Sequence, residues 1–385
     1  MHLQVNKMKK YLFVLLLISY INSFGQEVFT PKKIQLNGYI KTMQSWQFPD
    51  YPNIYSNHLL HNRMNLKWQP HSAISVSAEW RNRIISGDEV RMFPNYVSLL
   101  KNVNEKWNAS VIWANSKDMV VITNTERFWV SYKKNKWFVR AGRQRINWST
   151  TTTWNPNDIF NSYNFLDFDY EERPGCDALQ TRYLINDKSN LELALAFAGK
   201  SGKGISALKY FTQIKNWDLQ LIGGLYDEKI TLGGSWAKSI RGAGWKGEWQ
   251  YFHESPHGVF NFSTELDYLF KNNWYVKTGI LYNSMGLSGK VPNRQQLEFK
   301  MTPLMQMPAA WNIESMAMRE FNAVIKASMI IIYAPVTKIL VLVPVCTFSI
   351  SDNTDADIIL QQFFLQEKTW NVVQQNGFLR IKWSF

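Results

Sequence analysis

The residues best suited to chemistry in this 385-residue chain lie between positions 137 and 182, with one outlier upstream. Arg140, Arg143 and Gln144 sit close together, Arg182 follows, and Arg81 precedes them. Between them crowd Asp158, Asp167, Asp169, Glu171 and Glu172. Carboxylates facing guanidinium groups across a gap set up a transverse field, a means of orienting and sorting hydrated ions. Covalent chemistry is poorly provided for. The string His253-Glu254-Ser255-Pro256-His257 collects a base, an acid and a hydroxyl, but neighbours on an extended segment point apart and do not converge as a triad requires. Pro256 would also break the helix that a zinc-protease motif needs. Cys176 and Cys346 have no metal-binding spacing and form either one bridge or two free thiols, the second being the simpler reading. No catalytic residue, metal or cofactor is expected.

The elements that must position these charges show at the end of the chain. Leu379, Ile381, Trp383 and Phe385 alternate with Arg380, Lys382 and Ser384, so one face is apolar and the other polar. The alternation recurs. Leu60, Met64, Leu66 and Trp68 oppose His61, Arg63, Asn65 and Lys67; Trp245, Trp249 and Tyr251 oppose Lys246, Glu248 and Gln250; Phe260, Phe262 and Leu266 oppose Asn261, Ser263 and Glu265. A soluble sandwich would need a second sheet over each apolar face. A closed wall with lipid outside and water inside needs none, and this predicts an all-β fold, a transmembrane antiparallel β-barrel. At ~22 residues per strand with its share of connection, the chain accommodates about 16 strands, with 14 to 18 allowed by the even-number rule.

Composition agrees. Hydrophobic residues make up 45% and mean hydropathy is −0.28, which excludes a helical membrane protein, while 17 Trp, 17 Tyr and 23 Phe fit aromatic girdles. The apolar stretch 329–345 carries Pro335, Lys338 and Pro344 and reads as two strands joined at Ala334-Pro335-Val336-Thr337. Lys7, Lys9 and Lys10 precede an apolar run ending near Gly25, the pattern of a secretory signal peptide over 1–25, with the barrel over 26–385. Met1 and Met8 both remain open as the start. No plug domain is expected before the first strand near Ile34.

Tight turns are expected at Lys134-Asn135-Lys136, Asn186-Asp187-Lys188, Lys215-Asn216 and Lys271-Asn272-Asn273, and long loops over 84–106, 147–175 and 284–315. Residues 107–123 read as either strand or loop. The motif Arg140-Ala141-Gly142-Arg143-Gln144, then Trp148 and Asn155-Pro156-Asn157-Asp158, resembles a pattern of porin-like outer-membrane barrels of Gram-negative bacteria, including the alginate-export family and related barrels. In those proteins the Gly-Arg-Gln closes a strand and a Trp-Gly pair opens an inward loop; here Ser149 stands where the glycine usually does. The resemblance implies a porin-like channel in the cell outer membrane, with lipid, lipopolysaccharide and the barrel-assembly machinery as partners. The aromatics Trp154, Tyr163, Phe165 and Tyr170 fit a loop folded into the lumen, placing its acids opposite Arg140, Arg143, Arg145, Arg182 or Arg81; a self-packed surface loop is the alternative.

Formal net charge is +13, and losing three lysines with the leader leaves 40 basic residues against 30 acidic ones, a balance of +10. A basic lumen draws in anions; cations at the rim would instead bind lipopolysaccharide phosphates. The basic residues are dispersed among acids, which argues against nucleic acid. The expected function is passive passage of small hydrophilic, anionic or saccharide solutes. The alternative is a surface-polysaccharide export, binding or assembly barrel without an open pore. Leu379, Ile381, Trp383 and Phe385 are the expected membrane-insertion signal. Oligomeric state is open.

Overall fold

The computed structural model describes residues 33–48, 53–93, 95–100, 106–161, 166–169, 172–197, 204–291 and 301–385. Residues 1–25, Tyr163, Phe165, Tyr170 and Glu171 lie outside them. Ile34–Phe385 is one compact unit. In chain order its strands are β1 (Ile34–Phe48), β2 (Tyr55–His71), β3 (Ile74–Gly87), β4 (Ser110–Asn115), β5 (Met119–Lys134) and β6 (Trp137–Gln144). Then come β7 (Cys176–Asn186), β8 (Ser189–Phe197), β9 (Ile205–Ile214), β10 (Trp217–Tyr226), β11 (Lys229–Ile240), β12 (Ala243–Phe252) and β13 (Val259–Leu269). The last are β14 (Trp274–Asn283), β15 (Trp311–Glu320), β16 (Ile325–Ala334), β17 (Ile339–Ser351), β18 (Thr354–Gln366) and β19 (Trp370–Ser384).

Each strand pairs antiparallel with the next around the wall, and β19 pairs with β1, so the sheet closes. The seam is finished by the last residue: the amide of Phe385 donates to the carbonyl of Gly38 and the amide of Gly38 to that of Phe385, both at 3.0 Å. Closure removes the open edges that the first and last strands would otherwise present. The short strand β4 is extra. It pairs with β5 above the point where β6 ends, while β3 pairs with β5 directly. The wall therefore has 18 strands among the described residues, the top of the expected range. The count exceeds 16 because hairpin turns are short. Lys215-Asn216, Asp227-Glu228 and Arg241-Gly242 each turn in two residues with φ between 48° and 88°, the left-handed geometry that suits the strand twist.

All four expected tight turns lie at one end of the barrel, and the three expected long loops at the other. The ambiguous stretch 107–123 holds β4 and the start of β5. The stretch 329–345 is a hairpin of β16 and β17, with its turn at Pro335–Lys338. Both cysteines are free thiols. Leu379, Ile381, Trp383 and Phe385 are each about 40% exposed on the outer face, whereas Arg380 turns inward to Asp357 at 2.8 Å. No helix among the described residues is long and apolar enough to cross a membrane.

Candidate functional site

The candidate site begins where β6 leaves the wall. Gly142 has a φ of 115°, and a side chain there would collide with the carbonyl of Phe128. The next two side chains lock the exit. Arg143 pairs with Asp177 at 3.0 Å and donates to the carbonyls of Thr125, at 2.9 Å, and Trp107. It stands in register with Phe128, which is exposed on the outer face. Gln144 is fully buried and donates to the Ala178 carbonyl at 2.9 Å. Both residues were expected to line a pore; their side chains belong instead to the wall, because a strand that ends mid-barrel needs its last polar groups satisfied.

The chain then runs round the inside of the barrel as a belt. Ile146 and Trp148 pack on Ala178, Ala194, Ala196 and Ala207, the small inward residues of β7, β8 and β9, which leave the room. Trp148 donates to Glu192. Glu248 on β12 accepts from the amides of Thr150 (2.5 Å), Thr151 (3.2 Å) and Asn157 (3.2 Å). Glu265 on β13 accepts from the Thr152 amide at 3.0 Å, and Lys277 on β14 donates to the hydroxyls of Thr152 and Thr153. Trp154 is buried against Leu281, Met307, Ile332 and Val341.

Farther along, Gln361 on β18 reaches the Leu166 carbonyl at 3.4 Å and Arg380 on β19 the Phe168 carbonyl at 3.2 Å. Asp169 then enters a basic face built by three strands in register. Lys41 on β1 stands opposite His61 on β2, and His61 opposite Arg83 on β3. Lys41 and His61 approach Oδ1 of Asp169 at 3.4 and 3.0 Å, and Arg81 and Arg83 approach Oδ2 at 2.5 and 4.0 Å. Burial alone would raise the Asp169 carboxyl, but Arg81, His61 and Lys41 together hold it well below the usual carboxylate range. Glu172 meets Arg63 at 3.3 Å and the Tyr39 hydroxyl at 3.2 Å. Arg173 returns to Asp158 at 2.5 Å and so ties the end of the belt to its first half. Burial pushes the Asp158 carboxyl up, and Arg173 offsets part of that.

A second arm, 301–310, lies beside Trp154. Inward asparagines grip its carbonyls: Asn261 takes that of Pro303 at 2.8 Å, Asn283 that of Met307 at 2.6 Å and Asn312 that of Ala309 at 2.8 Å.

Of the expected site residues, Arg81, Asp169, Glu172 and Asp158 are drawn into this belt as direct ion pairs. Asp167 is exposed and accepts from the amide of Asp169 at 3.0 Å. Arg140 and Arg182 lie apart from all of these, on the inner face of β6 and β7 below the belt. Arg182 meets Glu192 at 2.6 Å, and the guanidinium of Arg140 stacks 4.1 Å from the ring centroid of Trp129 and 5.0 Å from that of Phe138. Both border a cavity of about 430 Å³. The residues that sequence reasoning missed are Lys41, Arg173 and Asp177. Arg173 and Asp177 flank the motif and differ from its other charges only in their partners, which sequence does not show.

No family model matches the chain, and no curated protein matches it. Solved structures do. OccAB4 of Acinetobacter baumannii aligns at 9% identity with a TM-score of 0.58, covering 92% of this chain and 100% of that one. OccAB1 of the same organism aligns at 9% identity and 0.54, covering 92% and 97%. OmpF of Salmonella typhi, solved with daunomycin, aligns at 10% identity and 0.50, covering 94% and 100%. The fold is therefore that of these porin-like barrels. At this identity the likeness extends to the fold alone.

Proposed function

We propose that this chain is a porin-type channel of the outer membrane through which small hydrophilic solutes pass passively, with anions preferred. The observation that carries the reading is the division inside the closed wall. The belt's acids reach the cations of β1 to β3, while Arg140 on β6, which has no carboxylate among the described residues, and Arg182 on β7, which shares Glu192, border a water-accessible cavity at the short-turn end. A basic vestibule raises the local concentration of anions and so favours their entry. The short-turn end would face the periplasm, the long loops the outside, and the apolar face closing on Phe385 would guide insertion. A leader over 1–25 and contact with lipopolysaccharide belong to the same reading.

One observation favours the alternative, a surface-polysaccharide export, binding or assembly barrel without an open pore. The belt and the 301–310 arm pack against each other, with Trp154, Asn157 and Gln306 buried. Trp154, buried, offers no platform to a sugar ring.

Single-channel recording of the refolded barrel in planar bilayers under a salt gradient separates the two. Stable conductance steps with a reversal potential on the anion side support the channel. A demonstrably folded barrel that passes no current overturns it in favour of the closed assembly.

A further inference from the structure

The cavity at the short-turn end has a composition unlike the rest of the lumen. Five of its lining side chains are cations: Lys133, Lys136, Arg140, Arg145 and Arg182. No Asp or Glu lines it among the described residues. Acids stand behind two of these cations: Arg182 shares Glu192 with Lys209 at 3.6 Å and with the indole of Trp148, and Arg145 feels the charge of Asp158. Arg140 has neither a carboxylate partner nor a hydrogen-bonded one among the described residues, and its buried Nε lacks an acceptor. Its guanidinium instead lies over Trp129 and Phe138, 4.1 and 5.0 Å from their ring centroids, contacts that position it without using a carboxylate. Arg182 lies 5.7 Å from the same Phe138 ring, so one aromatic side chain orients both guanidiniums.

We propose that this cavity is a binding site for a small organic phosphate, a dianion carrying a compact apolar body. Three features select that class. Two oriented guanidinium forks match the oxygens of a phosphoryl group, which accepts paired N–H bonds. The attraction grows with ligand charge, so several cations without lining acids favour a dianion over a monoanion of the same size. Phe138 and Leu184 supply an apolar patch, and about 430 Å³ falls within the range of small-molecule pockets. The mouth lies at the β5–β6 turn, where Lys133, Asn135 and Lys136 line it. Arg182, its side chain 40% exposed, is reachable from solvent. The site rests on the porin-type reading only in requiring a wet lumen at that end; it needs no current through the belt.

The test is titration calorimetry on the refolded full-length barrel in detergent at low ionic strength and pH 8, where a phosphate monoester is a dianion, its second pKa being about 6. Phenyl phosphate, inorganic phosphate and acetate are the probes. The expected result is one site per barrel, with phenyl phosphate tighter than inorganic phosphate and acetate weakest. R140Q weakens phenyl phosphate at least tenfold. K229Q, the same charge change at the far end, where Lys229 faces Glu254, stays within twofold. Where R140Q does not refold, R140K replaces it: charge without the fork gives an intermediate loss. Absent heat from folded protein overturns the site, as do equal affinity for acetate, an equal loss in K229Q, or an R140Q or R140K variant that binds like the wild type. A barrel that binds phenyl phosphate and passes no current keeps the site and removes the channel; one that conducts without binding does the reverse.

Discussion

On β1, β2 and β3 the side chains of Lys41, His61, Arg63, Arg81 and Arg83 each find a carboxylate at 2.5 to 4.0 Å. On β6 and β7, Arg140 finds none and Arg182 shares one. The two faces are made of the same residue types on the same kind of strand. What separates them is the route of a single loop, which carries Asp169 and Glu172 to one face and passes above the other. A cation inside a barrel is thus a structural anchor or an open anion site according to whether the chain supplies its counter-ion. The first kind is desolvated and rigid; the second keeps water and stays available.

The sharpest way to break this comparison is to remove the keystone. Asp169→Asn leaves Lys41, Arg81 and His61 crowded without a charge between them, and breaking one member of a buried pair costs about 3–5 kcal/mol. The expected outcome is a barrel that stays closed but releases the 166–173 part of the belt. Faster amide exchange there and larger single-channel conductance are the readouts. Unchanged exchange would show that packing, rather than charge, holds the belt. In the wild type the Asp169 carboxyl is held well below its ordinary value of 3.8. A depressed carboxyl contributes stability that is present above its unfolded pKa and lost only as pH falls through the folded one. Docking should therefore persist unchanged from pH 8 down to about 4, a window set by the unfolded carboxylate.

Next in size is the belt's first half, where one carboxylate holds three amides. Glu248→Ala leaves buried donors on Thr150, Thr151 and Asn157 unmet, and each such group costs about 1–3 kcal/mol. Proteolysis between 150 and 157 should become detectable while the heat-modifiable mobility of the folded barrel is retained. Smaller again is the seam. Deleting Phe385 removes the two hydrogen bonds with Gly38, about 1 kcal/mol each, and should slow refolding more than it lowers the melting point.

Much of the wall was legible in the sequence because its period is short-range. Alternation needs only neighbours two apart, so inward Glu248 and outward Trp249 separate on inspection, and turns such as Lys215-Asn216 follow from their Asn content, while Asp227-Glu228 and Arg241-Gly242 were not read as turns. The belt was half legible. Its aromatics and acids announced a loop that folds inward, yet the partner of each acid depends on where a 31-residue excursion (145–175) travels round a circle. Asp158 ends on Arg173, fifteen residues away in sequence, while Asp169 ends on Arg81, 88 residues away. Spacing alone cannot rank those choices. Arg143 misled for another reason: a strand that leaves the wall converts its last charge from lining to lock, and alternation carries no mark of where a strand leaves.

The smallest effect on stability belongs to the open face, and that smallness is the point of the comparison. Arg140 has no acid partner to strand, so Arg140→Gln should change unfolding by no more than about 1 kcal/mol, the worth of its contact with Trp129 and Phe138. Its effect is on ions. The vestibule is solvated, so its pull on anions is screened over ~10 Å in 0.1 M salt and ~3 Å in 1 M. The reversal potential of the wild type in a salt gradient should therefore lie on the anion side in dilute salt and drift toward neutral in concentrated salt. R140Q should remove most of the difference between the two. Asp169→Asn should show the opposite pattern, a large change in belt exchange that persists in 1 M salt, because desolvated pairs are screened far less. If R140Q destabilises the barrel as much as D169N does, Arg140 is an anchor like Arg81. The two faces are then one.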